Sequence, residues 1–278
     1  MAKFQLGASV AFHSLAIRVK DRDKMIAFYR DQIGFALKGE ENALAILGTK
    51  CSEEERFFLE ESPRAQDLFG TTKKLNHFLL TVQTKEEIFA IIARLKQANY
   101  PEYHVQIDAH QIQLTSSDPE ENKLIVRYVQ PTQRLVEQTV DELDFDQIDA
   151  TIGLAANCQI AAIHLNVLDT AAQANFLEKG LGLVFDKTSD TWSIPSVPVQ
   201  WSATATTDAT VAMASHEVIG LEFIKLTISQ ADLVALANHL SEQNITFFID
   251  KKQTILTVDD PVGVEWWFEY QRPKGHNK

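Results

Sequence analysis

The chain repeats one unit of strand, helix and three strands, and this limits its possible folds more than any other feature. Ser14 to Phe35 reads SLAIRVKDRDKMIAFYRDQIGF. Leu15, Ile17 and Val19 alternate with Ala16 and Arg18, so this is a strand with one apolar face. Asp21 is placed to cap a helix. Met25, Ile26, Phe28 and Tyr29 follow at helical spacing, an apolar stripe that faces a sheet. Gly34 suits the left-handed position past a helix end. Strands are predicted at Ala43–Leu47 and Arg56–Glu61, with the polar turn CSEEE between them. The pattern restarts at Leu75–Val82, LNHFLLTV. Thr84 and Glu87 have capping-box spacing ahead of a helix carrying Ile88, Ile91, Ile92 and Leu95. Strands follow at His104–Asp108 and Gln111–Thr115, and the turn DPEEN leads into KLIVRYV.

The second half carries the same landmarks in the same order. Ala162 to Phe185, AIHLNVLDTAAQANFLEKGLGLVF, is a degraded copy of the first unit. Its helix is predicted over Thr170–Lys179. The stretch Thr191–Ser215 is rich in Ser, Thr and Ala, with VPVQW as its best strand. LEFIKLTI at Leu221–Ile228 matches LNHFLLTV position by position. Ser229 and Asp232 repeat the cap, and Leu233, Leu236, Ala237 and Leu240 the helix stripe. Strands at Thr246–Asp250 and Thr254–Val258 and the turn DDPVG lead into VEWWFEY. From Pro131 to Asn157 the pattern lapses. Glu137, Asp141, Glu142, Asp144, Asp146 and Asp149 face one base, Arg134, with Leu143, Phe145 and Ile148 available to dock on a neighbour. The expectation is an α+β chain of four βαβββ modules: a paired-module domain over 1–130, an acidic connection over 131–157, and a second paired-module domain over 158–278.

Charge and composition exclude several functions. The formal charge of −12 and the lack of any basic stripe argue against a nucleic-acid partner. Two cysteines, Cys51 and Cys158, cannot make a disulfide framework and fit a reducing compartment. No apolar run approaches the roughly 18 residues of a membrane span, and the first residues lack a signal-peptide core. The expected location is cytoplasmic.

SLAIRVKDRDKMIAFYRDQIGF, NHFLLTV and DPEENKLIVRYV resemble the vicinal-oxygen-chelate superfamily of glyoxalase I, bleomycin-resistance proteins and extradiol dioxygenases. The resemblance implies paired modules that form a cupped sheet around a ligand cavity. Four segments are similar to the CppA family: ENALAILG (Glu41–Gly48), RFFLEESP (Arg56–Pro63), KKLN (Lys73–Asn76) and DKKQTILTVDDP (Asp250–Pro261). That family is provisionally labelled a complement-degrading proteinase, with a glyoxalase-like N-terminal half.

Metal-dependent members of the superfamily bring four His or carboxylate ligands to the cup, leaving positions open for substrate oxygens. Counting back from Asp21 puts Ser14 at the first position. His13 is one residue out of register, which in a regular strand points it to the other face. His77 fills the second-module position, and Glu60 or Glu61 is available on the partner strand. Ile125 stands where a glutamate is expected. The same counting in the second half gives Ala162, Phe223 and Trp267, with His164 two residues beyond Ala162. A divalent metal (Fe, Mn, Zn or Ni) would therefore have His77 and one of Glu60 and Glu61. His77 reads more readily as a core or cavity-wall histidine than as a metal ligand, and His164 as a cavity or core polar group. Of Trp266 and Trp267, one indole is expected on each face.

The proteinase label finds no support in motifs. There is no GxSxG elbow, and His216-Glu217 is not followed by a second histidine at HExxH spacing. Cys51 lies in a Glu-rich turn, a poor setting for a nucleophilic cysteine. The expected function is binding of a small, partly apolar ligand by His77, Phe57, Phe223, Trp267 and His164, without a metal cofactor. The alternatives are a metal-dependent glyoxalase- or extradiol-dioxygenase-type enzyme using His77 and Glu60 or Glu61, and a host-protein-binding or complement-degrading protein as the family label says.

Overall fold

A computed structural model describes residues 4–130 and 143–270. Arg134, Glu137, Asp141 and Glu142 of the acidic connection lie outside the described residues. The first module is β1 (Ala11–Val19), α1 (Arg22–Ala27, continued by a π-helical turn over Phe28–Ile33), β2 (Ala36–Glu41), β3 (Leu44–Gly48) and β4 (Glu55–Glu61). The second is β5 (Leu75–Thr81), α2 (Lys85–Gln97), β6 (Tyr103–Ile107), β7 (Gln111–Ser117) and β8 (Lys123–Val129). The third is β9 (Gln159–Val167), α3 (Thr170–Asn175, continued by a π-helical turn over Phe176–Gly180), β10 (Val184–Asp186), β11 (Thr191–Ser193) and β12 (Gln200–Ala205). The fourth is β13 (Gly220–Ile228), α4 (Gln230–Glu242), β14 (Phe248–Ile249), β15 (Ile255–Asp259) and β16 (Glu265–Tyr270).

The expected caps start α1, α2 and α4, and Asp169, which was not among the expected caps, starts α3. Asp21 accepts from the Lys24 N–H, and Asp169 from the N–H groups of Ala171 and Ala172. Thr84 and Glu87 form a reciprocal capping box, and Ser229 accepts from the Asp232 N–H. Each satisfies a backbone donor that the helix itself leaves free. Gly34 sits at φ 99°, the left-handed position expected of it.

Among the described residues sixteen strands form two eight-stranded sheets, and here the structure corrects the expected pairing of modules. The first sheet runs β14-β15-β16-β13-β1-β4-β3-β2 and joins module one to module four. The second runs β10-β11-β12-β9-β5-β8-β7-β6 and joins module two to module three. The seams are antiparallel: β1 with β13, and β5 with β9. Each sheet therefore takes strands from both halves of the chain, and neither half encloses its own sheet. Nothing in a strand's period-2 pattern says which equivalent strand it will meet.

The helix-bearing faces of the two sheets pack on each other. Phe57 of β4 stacks on Phe78 of β5 with ring centroids 5.6 Å apart, and Trp266 of β16 lies 5.5 Å from Trp201 of β12. The turns after β7 and β15 fasten the sheets further. Asp118, fully buried, accepts from the Tyr29 hydroxyl at 2.8 Å, and Asp260 accepts from Gln173 Nε2 at 3.0 Å. Part of the connecting segment docks as expected: Lys96 Nζ of α2 lies 3.7 Å from the Phe145 ring centroid. Arg94 donates to the carbonyls of Ala150 and Ile152. With the inner faces buried, the outer faces of both sheets are left for function.

Candidate functional site

The first strand of each module carries an irregularity near its start, which decides what reaches the outer faces. In the β1–β13 seam the register shifts between Phe12 and Ser14, and between Ala16 and Ile17, opposite the step from Phe223 to Leu221. In the β5–β9 seam the shifts fall between Leu75 and His77, and opposite the step from Ala162 to Ile160. The extra residues are His13, Glu222, Asn76 and Ala161, one in each module. A bulge puts two neighbouring side chains against one partner. His13 is therefore not on the far face from Ser14, as a regular strand would require. Its ring lies 6.1 Å from Phe58, and its Nδ1 is 2.9 Å from the Ser14 hydroxyl.

The outer face of the first sheet holds a cavity of about 460 Å³. Leu44, Ile46, Phe58, Phe223 and Trp267 supply its apolar surface, and Glu41, Glu55, Glu60 and Lys225 its charges. Phe58, Phe223 and Ala16 form a small apolar cluster separate from the main core, with Leu44, Ile46 and Trp267 packed on it. The Phe58 and Phe223 rings are 6.0 Å apart at 62°, and those of Phe223 and Trp267 are 5.3 Å apart at 56°. Lys225 Nζ pairs with Glu269 at 2.8 Å and lies 6.0 and 5.9 Å from the Phe58 and Trp267 centroids. Burial, with Lys225 second, pushes the His13 imidazole down to about 4, so it is neutral near pH 7.

A carboxyl pair lies at one end of this face. Arg18 bonds Glu222 and is 3.6 Å from Glu60. Burial, then the hydrogen bond and charge of Glu60, push Glu222 up to about 8, against the pull of Arg18. Glu222 thus holds a proton near neutral pH, and Arg18 is balanced by Glu60. A second concavity of about 350 Å³ adjoins it, lined by Ser215, His216, Glu222, Asp259 and Glu265 among others.

The outer face of the second sheet brings His77 and His164 together. They pair across the seam, with rings stacked 5.1 Å apart at 9°. Both nitrogens of His164 meet hydroxyls, Ser202 at 2.6 Å and Thr204 at 2.7 Å, and His77 Nδ1 meets Asn76 at 2.8 Å. Burial, then His164, lower His77 to about 4, and burial lowers His164.

Of the residues expected to bind ligand, Phe223 and Trp267 line the cavity together. His77 and His164 meet each other, but on the other sheet. Phe57 is a correction: it is fully buried between the sheets against Tyr29, Phe35 and Phe78, and Phe58 takes the cavity position. The register explains this. Phe58 stands beside Ala16 and Trp267 beside Lys225, and the bulges make these two places equivalent in modules one and four. Phe57 and Trp266 are the equivalent inward pair. Aligning RFFLEE with EWWFEY would have found Phe58, whereas the bulge that admits His13 leaves no sequence signal.

The superfamily's metal set is also corrected. His77 and Glu60 or Glu61 belong to different sheets, and the inner faces of those sheets pack on each other. The equivalent positions around the first seam are Ser14, Phe58, Phe223 and Trp267. Around the second seam they are His77, Ile125, Ala162 and Ser202. Among the described residues no three His, Cys, Asp or Glu side chains gather in a way that could hold a metal ion. The donors present do not fit the group that the fold implies. Cys158 is buried and its thiol is pushed up to about 12, so it is no nucleophile either. No described helix is long and apolar enough to cross a membrane.

Comparison with known proteins agrees with this architecture. Residues 12–136 match the family described as CppA N-terminal, and residues 155–268 the family described as CppA C-terminal. The cppA protein of Streptococcus pneumoniae superposes with a TM-score of 0.67 at 16% identity, covering 96% of this chain and 99% of that one. A Bacillus subtilis protein provisionally described as a dioxygenase gives 0.64 at 12% identity, covering 98% and 87%. Glyoxalase I from Zea mays gives 0.55 at 13% identity, covering 94% and 92%. At these identities the likenesses establish the fold alone. No curated protein matches the chain by sequence.

Proposed function

Starting from a chain that belongs to the CppA family, we propose that this protein binds a small, partly apolar ligand in the outer cavity of its first sheet, without metal chemistry. The observation that supports this is the cavity itself. About 460 Å³ is the size of a small-molecule site, and Phe58, Phe223 and Trp267 wall it where the superfamily places ligands to metal. A bound aromatic or branched aliphatic group would replace water on those rings. The proposed binding residues are Phe58, Phe223, Trp267, Leu44 and Ile46, with Lys225, Glu55 and Glu60 orienting the polar end.

Intrinsic tryptophan emission tests the proposal. Trp192, Trp201 and Trp266 are buried, whereas Trp267 alone among the four lines the cavity. Titration with benzyl alcohol should quench or shift the emission saturably, and Trp267→Phe should abolish the signal. An unchanged spectrum and no heat of binding would sink the proposal.

A further inference from the structure

We propose that this cavity selects organic cations, namely amines that carry a compact apolar or aromatic group. The proposal rests on the ligand-binding reading above and adds the sign of the ligand's charge.

Three features of the cavity point the same way. The first is charge: Glu41, Glu55 and Glu60 line it against a single ammonium, Lys225. That ammonium is committed to Glu269 at 2.8 Å, outside the lining. His13 adds no positive charge near neutral pH, because burial and Lys225 hold it near 4. Arg18 is balanced by Glu60, which leaves Glu41 and Glu55 to set the sign of the cavity. An anion entering here meets carboxylates and no free cation, whereas a cation meets the reverse. The net charge of −12 adds a long-range field of the same sign.

The second feature is the walls. The Phe58, Phe223 and Trp267 rings are tilted by 62° and 56° in sequence. Rings at such angles meet edge to face rather than in parallel stacks, so one ring does not cover the whole face of the next. A ring face is the electron-rich side that attracts a cation.

The third feature is that the protein already places a cation there. Lys225 Nζ lies about 6 Å from two of these rings, at 6.0 and 5.9 Å. Phe58 is buried and Trp267 half-buried, so this ammonium is accommodated on ring faces largely withdrawn from water. The cavity beside it has the same walls and more carboxylate. A ligand ammonium would lie between Glu41, Glu55 and the ring faces, with its apolar group on Leu44 and Ile46.

Calorimetric titration with three probes of similar shape tests this: benzyltrimethylammonium chloride, benzyl alcohol and sodium phenylacetate. The expected order is cation first, by about tenfold over the alcohol, with the carboxylate weakest. Raising salt from about 0.05 M to about 0.5 M should weaken the cation and leave the alcohol's affinity in place. In Glu41→Gln/Glu55→Gln protein with an unchanged thermal midpoint, the ratio of cation to alcohol affinity should fall toward one. If that variant fails to fold, the salt series on the natural protein decides. Equal affinity for all three probes, or preference for phenylacetate, overturns the charge inference and leaves the ligand-binding reading standing. Binding of none of the three overturns both.

Discussion

At the scale of single residues, neighbouring aromatics do opposite work. Trp266 is fully buried against Trp201 and Phe176, whereas Trp267 faces the cavity. Trp266→Ala should cost about 3–5 kcal/mol of stability, the usual range for emptying a buried aromatic site. Trp267→Ala should cost much less stability and abolish ligand binding. Urea unfolding of both variants, beside a binding titration of the second, checks the division. The histidines give a pH prediction. His13 and His77 have folded-state values of about 4, below the ordinary 6.5. As pH falls from 6.5 toward 4, the unfolded chain takes up protons that the folded one refuses, so stability falls across that window and levels off below it. Glu222 acts with the opposite sign. Its value is raised from 4.5 to about 8, so the stability it contributes is present below 4.5 and lost as pH rises through about 8. Urea midpoints across pH should show His77→Gln flattening the acid limb and Glu222→Gln flattening the alkaline one. An NMR titration should find the His77 ring still neutral at about pH 5.

At the scale of elements, the helices depend on their caps and the sheets on their turns. The Thr84–Glu87 box satisfies donors at the start of α2, so Thr84→Ala should cost about 1 kcal/mol. The Asp118 turn carries more. Its carboxylate accepts from the N–H groups of Glu120 and Asn122, from the Asn122 amide and from the Tyr29 hydroxyl. Tyr29→Phe removes one of these and should cost about 1 kcal/mol, whereas Asp118→Ala orphans several and should cost about 3 kcal/mol or more. Thermal or urea unfolding ranks the three. Caps, turns and helix stripes were legible in the sequence because each rests on residues a few places apart. The bulges were not. His13, Asn76, Ala161 and Glu222 are unlike one another, and each extra residue exists only relative to a partner strand.

At the scale of the whole molecule, the exchange of modules between sheets makes each half depend on the other. Residues 4–130 supply β1–β4 to one sheet and β5–β8 to the other, and the second half completes both. A fragment of residues 1–130 alone would expose the β1 and β5 seams. We expect neither it nor the fragment 143–278 to be a folded monomer, and an equimolar mixture to co-elute as one species with native circular dichroism. Fragments that fold separately and stay apart on mixing would contradict this.

The sequence alone determined that four modules exist, where each helix starts, and which strand positions alternate between two faces. These follow from local periodicity and hydrogen-bonding chemistry, and a chain carries both in its order. Only the tertiary structure decided which module meets which. That choice moved Glu60 and His77 to different sheets, and it brought Phe58, Phe223 and Trp267 to one cavity, while a bulge turned His13 toward Phe58. Pairing is a contest among strands of nearly identical pattern. It is settled by how the inner faces pack, with Phe57 against Phe78 and Trp201 against Trp266, and no local pattern encodes that.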